Sequence, residues 1–157
     1  MQPTITLEQL PFWRSEQRKK GKKVVATNGC FDILHVGHLR YLEEAKKLGD
    51  TLIVGLNSDA STRQLKGPTR PINHENDRAE LLAALKPVDF VCIFPDVRAT
   101  QFLDLVQPDI YVKGGDYTEA QLDQDEVNAV KKHGGQIHIL KLIPGKSTTN
   151  IINKSKQ

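Results

Sequence analysis

The sequence has little cysteine and no long apolar segment. Its 157 residues include only Cys30 and Cys92, which are not in a C-x-x-C arrangement, so we expect neither a disulfide framework nor a cysteine zinc site. No apolar run approaches the roughly 20 residues that cross a bilayer, and the first residues do not resemble a signal peptide. We therefore expect a cytoplasmic protein that does not bind membranes.

Strong charge of one sign is also lacking, since the net charge is only +3. Much of it comes from a basic run before the first predicted strand, with which no aromatic residues interleave as single-strand stacking would require. We therefore expect no nucleic-acid partner, although a mildly basic protein suits phosphorylated small molecules. The run consists of Arg14, Arg18, Lys19, Lys20, Lys22 and Lys23.

Two common nucleotide-binding motifs are absent. Gly145-Lys146-Ser147 resembles the end of a P-loop, but Leu140 occupies the position of the earlier glycine that a P-loop requires. No G-x-G-x-x-G occurs either, so neither a P-loop nor a dinucleotide fingerprint is predicted.

The segments that are present predict an α/β fold. Apolar residues make up 38% and charged residues 26%, which is typical of one globular domain, and we predict a helical arm at 1–21 followed by a domain at 22–157. Short apolar runs predict five strands, at 22–27, 51–56, 88–94, 109–113 and 136–142. Helices are predicted at 37–48, 75–85, 98–106, 118–133 (in one or two pieces) and from 147, with a long polar connection, a possible lid, at 60–73.

Strands that alternate with helices predict a Rossmann-like, doubly wound, five-stranded parallel sheet in a single domain. In such sheets the ligand lies outside the carboxyl ends of the strands. Polar clusters follow the predicted strands at 28–38, 57–59, 113–117 and 145–150. We therefore expect these clusters to share one site.

The strongest candidate for an anion site is the helix start at His35 and His38. The first turn of a helix has free N–H groups and the positive end of the dipole, and two imidazoles would add donors for a polyphosphate. Gly37 would let a ligand or a neighbouring backbone come close. The alternative is that one histidine caps the helix and the other packs. A metal pair is disfavoured, because no third ligand stands at a recognisable spacing.

Other polar residues are candidates for the same chemistry. The hydroxyls and amides at Ser147, Thr148 and Thr149 could hold a second phosphate group. Four cations could offset charge on a transferring phosphoryl group, although any single one of them is more often a surface charge: Lys66, Arg70, Arg78 and Lys113. For Cys30 taken alone, a small buried residue is the favoured interpretation.

The segment 27–32, Thr-Asn-Gly-Cys-Phe-Asp, followed by His35-Val36-Gly37-His38, resembles the H-x-G-H nucleotidyltransferase superfamily, which includes glycerol-3-phosphate cytidylyltransferase and pantetheine-phosphate adenylyltransferase. Within it, the chain is similar over 22–154 to the adenylyltransferase domain that makes ADP-heptose. The segments that carry this likeness are 57–59, 65–67, 70–71, 112–117 and 147–152.

This resemblance implies that AMP passes from ATP to D-glycero-β-D-manno-heptose 1-phosphate, with release of pyrophosphate and with Mg²⁺ assisting, for the lipopolysaccharide core. It implies direct attack by the sugar phosphate, without a covalent enzyme intermediate. The catalytic residues would be His35, His38 and Lys66. A homodimer, and a separate upstream sugar kinase that supplies the substrate, are further expectations.

The resemblance also implies a set of nucleotide-binding residues. Asn28 to Phe31 would line the site, Gly114 to Asp116 would approach the nucleoside, and Ser147 to Thr149 would hold the departing phosphates. The full set is Asn28, Gly29, Cys30, Phe31, Gly37, Arg70, Lys113, Gly114, Gly115, Asp116, Ser147, Thr148 and Thr149.

One departure leaves part of this assignment open. Cytidylyltransferase relatives place an arginine shortly before the last hydroxyl cluster, where this chain has Leu142-Ile143-Pro144, so Lys141 or Lys146 could take its role. The preference for ATP over CTP is not readable from the residues. The alternatives are a CTP-using enzyme similar to glycerol-3-phosphate cytidylyltransferase and a non-catalytic, nucleotide-binding regulatory domain.

Overall fold

One five-stranded parallel sheet forms the centre of the protein, in a computed structural model that describes residues 3–142 and 144–157. Met1 and Gln2 of the predicted arm, and Ile143 of the departure noted above, lie outside the described residues. The strand order is β3-β2-β1-β4-β5, which confirms the predicted fold class. The strands are β1 (Val24–Gly29), β2 (Thr51–Asn57), β3 (Phe90–Phe94), β4 (Ile110–Gly114) and β5 (Gln136–Leu140).

Helices cover both faces of the sheet. They are α1 (Leu10–Lys19), α2 (Val36–Lys46), α3 (Asp59–Lys66), α4 (Glu75–Ala83), α5 (Thr100–Val106), α6 (Gln124–Lys131) and α7 (Thr148–Ser155), with short 3₁₀ turns at Leu7–Gln9 and Glu119–Gln121. Within the described ranges, none of these helices is long and apolar enough to cross a membrane.

The prediction of one long polar connection over 60–73 is wrong in its first half, where α3 forms. Ser58 caps this helix, because its Oγ accepts a hydrogen bond from the backbone N–H of Ser61 at 3.1 Å. Ala60 and residues 63–66 are good helix formers, but Asp59, Ser61 and Thr62 are not, and Leu65 is the one large apolar residue, so no apolar period indicated a helix there. The cap at Ser58 and the burial of Ser61 and Thr62 fix the start of the helix.

The core has two parts, one on each face of the sheet. On the first face Trp13, Phe102 and Tyr111 are fully buried, and on the second Leu42 and Leu82 are. The side chain of Trp13 contacts that of Phe90 edge to face, with ring centroids 5.3 Å apart. Helix α1 therefore contributes directly to the core of the sheet.

The order of the strands fixes where a ligand can bind. The chain builds β1, β2 and β3 outward in one direction and then returns to place β4 on the other side of β1. The topological switch point therefore lies between β1 and β4, and the crevice at their carboxyl ends is the expected ligand site. Asn28 and Gly29 end β1 there, and Lys113 and Gly114 end β4.

Candidate active site

A cavity of about 530 Å³ opens at the carboxyl ends of the strands, at this switch point. It brings together the three polar clusters that follow β1, β2 and β4 and the one that precedes α7, as the sequence predicts. Gly115 and Asp116 do not line it, so their approach to a nucleoside stays a prediction. The predicted residues that line it are Asn28, Gly29, Cys30, Phe31, His35, Gly37, His38, Lys66, Arg70, Lys113, Gly114, Ser147, Thr148 and Thr149.

His35 and His38 start helix α2 through a reciprocal cap. Nδ1 of His35 accepts the backbone N–H of His38, and Nδ1 of His38 accepts the backbone N–H of His35, each at 3.4 Å. The two rings stack with centroids 3.8 Å apart. Because an Nδ1 that accepts a hydrogen bond has no proton, each neutral ring carries its proton on Nε2. The cap therefore fixes the tautomer that leaves Nε2–H free to donate.

The electrostatics keep both rings neutral. Burial, reinforced by the neighbouring His35, lowers the pKa of His38 to about 4. Burial and then the positive charge of Lys146 lower the pKa of His35. At neutral pH both imidazoles are therefore uncharged hydrogen-bond donors, poorly suited to act as proton-accepting bases.

The amino terminus of α7 forms the neighbouring wall of the cavity. Ser147 caps the helix, with its Oγ accepting the backbone N–H of Asn150 at 3.0 Å. Thr148 ties α7 to the loop before α2, because its hydroxyl donates to the carbonyl of Ile33 at 2.9 Å. Two helix amino termini, with their free N–H groups and positive dipole ends, thus meet at one cavity.

Gly37 allows this close approach of the two helix starts. A Cβ added there would lie 2.8 Å from Cε1 of His35 and 2.9 Å from Cβ of Lys146. Real Cβ atoms do not come so close to other heavy atoms, so a larger residue would displace the His35 ring or the segment before α7.

Phe31 adopts a backbone conformation that is unusual for a non-glycine residue, with φ of 43°. Such conformations cost about 1–3 kcal/mol and cluster at functional sites. Here the conformation places the phenyl ring 5.1 Å from the ring of His38, at the edge of the cavity. The ring also covers Gly29, where an added Cβ would lie 2.9 Å from Cε2 of Phe31.

Asp32, a member of the predicted 28–38 cluster that had no role of its own, holds one of the cavity's cations. Its buried carboxylate accepts Nε of Arg70 at 2.6 Å and the backbone N–H groups of Ile72 and Asn73 at 2.8 and 3.0 Å. Burial would raise the pKa of Asp32, but the two backbone donors and Arg70 together lower it. The carboxylate is therefore ionised and fixes the segment after α3 against the cavity.

Arg78, a predicted candidate for offsetting phosphate charge, does not have that position in the structure. Its guanidinium is fully buried and does not line the cavity. It donates to the carbonyls of Cys30, Asn57 and Asn73 and pairs with Asp59 at 2.8 Å. With its donors committed to these groups, Arg78 supports the loops around the cavity rather than the ligand in it.

Sequence reasoning missed several residues that line the cavity. Arg98 follows β3, so the rule that polar residues follow strands could have identified it, whereas Val97 beside it is apolar and carries no such signal. Glu126 lies inside α6 and carries no such signal. Tyr41 and Leu142 were also missed. Asp32, Asn57 and Leu65 lie in the predicted segments 28–38, 57–59 and 65–67 but had no role of their own, and Lys146 was named only as a possible substitute for an arginine.

The lining residues do not form a ready site for Mg²⁺. Among the described residues, no three His, Cys, Asp or Glu side chains are arranged to hold a metal ion. The carboxylates that line the cavity are Asp32 and Glu126, and both already bind protein donors. Mg²⁺ in nucleotide sites usually keeps several water ligands and binds through substrate phosphates together with one or two carboxylates.

The sequence is similar to a family model and to known proteins over most of its length. Residues 26–154 match a family model described as cytidylyltransferase-like. The chain is 51% identical over 139 residues to the bifunctional protein HldE of Syntrophotalea carbinolica, covering 88% of this chain and 28% of that protein. HldE of Campylobacter fetus is 52% identical over 139 residues, with 88% and 29% covered. The chain thus spans less than a third of the length of these relatives.

Two solved structures have folds similar to that of this chain. A lipopolysaccharide core biosynthesis protein from Thermoplasma volcanium matches with a TM-score of 0.64 and 35% identity over 78% of this chain and 98% of that one. A pantoate-β-alanine ligase from Francisella tularensis, with bound nucleotide and β-alanine, matches with a TM-score of 0.58 and 15% identity over 99% and 77%. The second likeness concerns the fold alone.

Proposed function

Because the chain belongs to the cytidylyltransferase-like family and is a nucleotidyltransferase, we propose that it transfers AMP from ATP to D-glycero-β-D-manno-heptose 1-phosphate. The products are ADP-heptose and pyrophosphate, for the lipopolysaccharide core. Likeness to the HldE proteins and to the lipopolysaccharide core protein of Thermoplasma volcanium supports this acceptor.

The observation that carries the proposal is the meeting of two helix amino termini at one cavity, with the neutral His35 and His38 on the first and Ser147 to Thr149 on the second. A single phosphate needs only one such terminus, whereas a triphosphate has charge for both. Lys66 and Lys146 line the same cavity and add positive charge.

The neutral histidines suit this reaction. An oxygen of the sugar phosphate attacks the α-phosphorus of ATP, a new P–O bond forms, and the bond to the bridging oxygen of pyrophosphate breaks. A phosphate monoester is already largely ionised at pH 7, since its second pKa is about 6, so the attack requires no general base. The Nε2–H groups of His35 and His38 instead donate to the phosphate oxygens as charge develops on them.

The test is a pyrophosphate-release assay that pairs ATP or CTP with a panel of sugar 1-phosphates and polyol phosphates, in the presence of Mg²⁺. We expect the highest kcat/KM for ATP with heptose 1-phosphate. His38→Ala should lower kcat by about 10²–10³-fold, as loss of one preorganised donor does, with circular dichroism unchanged. Turnover only with a different acceptor would refute the acceptor, and a wild-type kcat for His38→Ala would refute the role of that ring.

A second candidate follows from the description of the family itself as cytidylyltransferase-like. A chain similar to glycerol-3-phosphate cytidylyltransferase would prefer CTP and a polyol phosphate. The same panel decides between the two, because a kcat/KM ratio for CTP over ATP well above one would favour this candidate. The homodimer and the separate kinase that supplies the sugar phosphate stay predictions.

A further inference from the structure

The wall of the cavity beside α6 contains a buried carboxylate that the proposed chemistry does not use. Glu126 lies in the first turn of α6 and is only 5% exposed, yet it lines the cavity on the face of the sheet opposite the two histidines. Burying a carboxylate costs free energy unless it is paired or hydrogen-bonded. The contacts of Glu126 therefore identify the groups that its carboxylate positions.

Three groups surround this carboxylate. Oε1 accepts the backbone N–H of Ala99 at 2.8 Å, at the start of α5. Oε2 lies 3.3 Å from the hydroxyl of Tyr111 and 4.0 Å from Nζ of Lys113. The hydroxyl of Tyr111 also lies 2.6 Å from Oδ1 of Asn28, the residue at the carboxyl end of β1. One carboxylate thus connects α5, β4 and, through Tyr111, β1 on both sides of the switch point.

Tyr111 keeps its proton for these contacts. Burial, and next the charge of Glu126, raise the pKa of its hydroxyl well above its usual value. The phenol is therefore neutral at any working pH, and its one proton serves either Glu126 or Asn28.

Lys113 is the group in this set whose position matters most for phosphate. Its ammonium lies 5.6 Å from the centroid of the Tyr111 ring, and its side chain, which is 25% exposed, lines the cavity. A lysine side chain is long and flexible, so an ammonium without an anchor would spend much of its time in water. A cation that stabilises a transferring phosphate is effective only when it is held in place beforehand.

We propose that Glu126 is a positioning residue for nucleotidyl transfer, whose buried carboxylate holds the Lys113 ammonium, and the Tyr111 ring beneath it, at the carboxyl end of β4 where the cavity receives phosphate. The proposal rests on the proposed function of this cavity. Glu126 itself does not bind the phosphates, since its charge would repel them, and it acts through Lys113.

Asp89 offers a matched control on the same chain. It also accepts one backbone N–H, from Leu52 at 2.7 Å, and pairs with one lysine, Lys46, but it precedes β3 and does not line the cavity. A purely structural carboxylate should behave like Asp89, whose loss affects stability and leaves turnover per folded molecule unchanged.

The experiment is a double-mutant cycle on kcat/KM with Glu126→Gln, Lys113→Met and both changes together. Glutamine keeps an oxygen for the N–H of Ala99 and removes only the charge. We expect each single variant to lose between about 10-fold and 100-fold in kcat/KM, the cost of misplacing a reacting group. The double variant should lose little more than either single one, while Asp89→Asn keeps the wild-type kcat/KM.

The assay uses whichever nucleotide and acceptor the wild type turns over best, so a wrong acceptor in the proposed function leaves this test intact. Thermal melting of each variant separates loss of activity from loss of fold. Wild-type kcat/KM in Glu126→Gln would overturn the proposal. So would losses that multiply in the double variant, because Glu126 would then act independently of Lys113. A fall in melting temperature without a fall in kcat/KM would reduce Glu126 to a structural role.

Discussion

Lowering the pH from 8 to 5 should destabilise the folded protein through His38. In the folded chain Nδ1 of His38 accepts the backbone N–H of His35, so a proton on Nδ1 would break the cap of α2. Burial and the neighbouring His35 accordingly lower the pKa of His38 from 6.5 to about 4. In the unfolded chain the same ring is free to take up a proton near its usual pKa.

The sign and size of the effect follow from linkage. Below pH 6.5 the unfolded state binds a proton at His38 that the folded state does not, so the free energy of unfolding falls as the pH falls. One pKa unit is worth about 1.4 kcal/mol, so the full effect is about 3 kcal/mol, reached below pH 4, and about 2 kcal/mol is already lost at pH 5. The stabilisation is complete above pH 6.5 and is lost between pH 6.5 and 4.

The measurement is urea unfolding at several pH values between 8 and 4.5 for the wild type and His38→Gln. Glutamine at the third position of a helix can reach back to the N–H of the capping residue, so this variant keeps the cap but cannot titrate. The wild-type free energy of unfolding should fall by about 2 kcal/mol more than that of the variant between pH 8 and 5. Other titrating groups affect both proteins alike and cancel in the difference.

Equal slopes for the two proteins would show that His38 does not have a lowered pKa in the folded state. Greater stability of the wild type at low pH would be a stronger contradiction, since it would mean that the folded state prefers the charged ring. Either result would remove the argument that the histidine pair consists of neutral donors.

Three further outcomes are expected. Gly37→Ala should lower kcat/KM because its Cβ would lie 2.8 Å from the His35 ring, with a stability loss of about 1–3 kcal/mol in thermal melting; wild-type kinetics would contradict this. Arg78→Met should cost about 3 kcal/mol in the free energy of unfolding, since it leaves buried carbonyls and Asp59 without their partner, and a loss of under 1 kcal/mol in urea unfolding would argue against that role. Iodoacetamide at pH 8 should leave Cys92 unmodified in the folded protein, because burial raises the pKa of its thiol to about 12. Mass spectrometry of the treated protein measures this, and early modification of Cys92 would contradict it.

The sheet was predictable because each strand is a short apolar run in the sequence. Runs such as 51–56 are apolar and β-branched on both faces, which is typical of parallel strands covered by helices on each side. Helix α3 was missed because Asp59–Lys66 contains a single large apolar residue, Leu65, and so shows no apolar period, and because the weak helix formers Asp59, Ser61 and Thr62 stand at its start. The apolar pattern of a sequence identifies a helix or strand when its buried residues recur with the period of that element. The pattern fails when a cap and tertiary contacts stabilise the element instead.

The candidate site was predictable to the extent that it follows from topology. Carboxyl ends of parallel strands share one edge, so polar residues just after β1, β2 and β4 had to lie near one another. Arg78 was misjudged because a cation's target depends on burial, and its guanidinium is fully buried among carbonyls. Glu126 was invisible because it reaches the cavity from inside α6, at a distance along the chain from every motif.

The stability of helix α2 and the chemistry of the site depend on the same two hydrogen bonds. The backbone N–H groups at His35 and His38 need acceptors at a helix start, and the only way these rings can provide them is to keep Nδ1 unprotonated. That requirement places the proton of each ring on Nε2, where it can donate to a phosphate. A charged imidazole would attract phosphate more strongly but could not cap the helix. Positive charge in the cavity must therefore come from the lysine and arginine side chains that line it, and this is why the position of a cation such as Lys113 can matter for turnover.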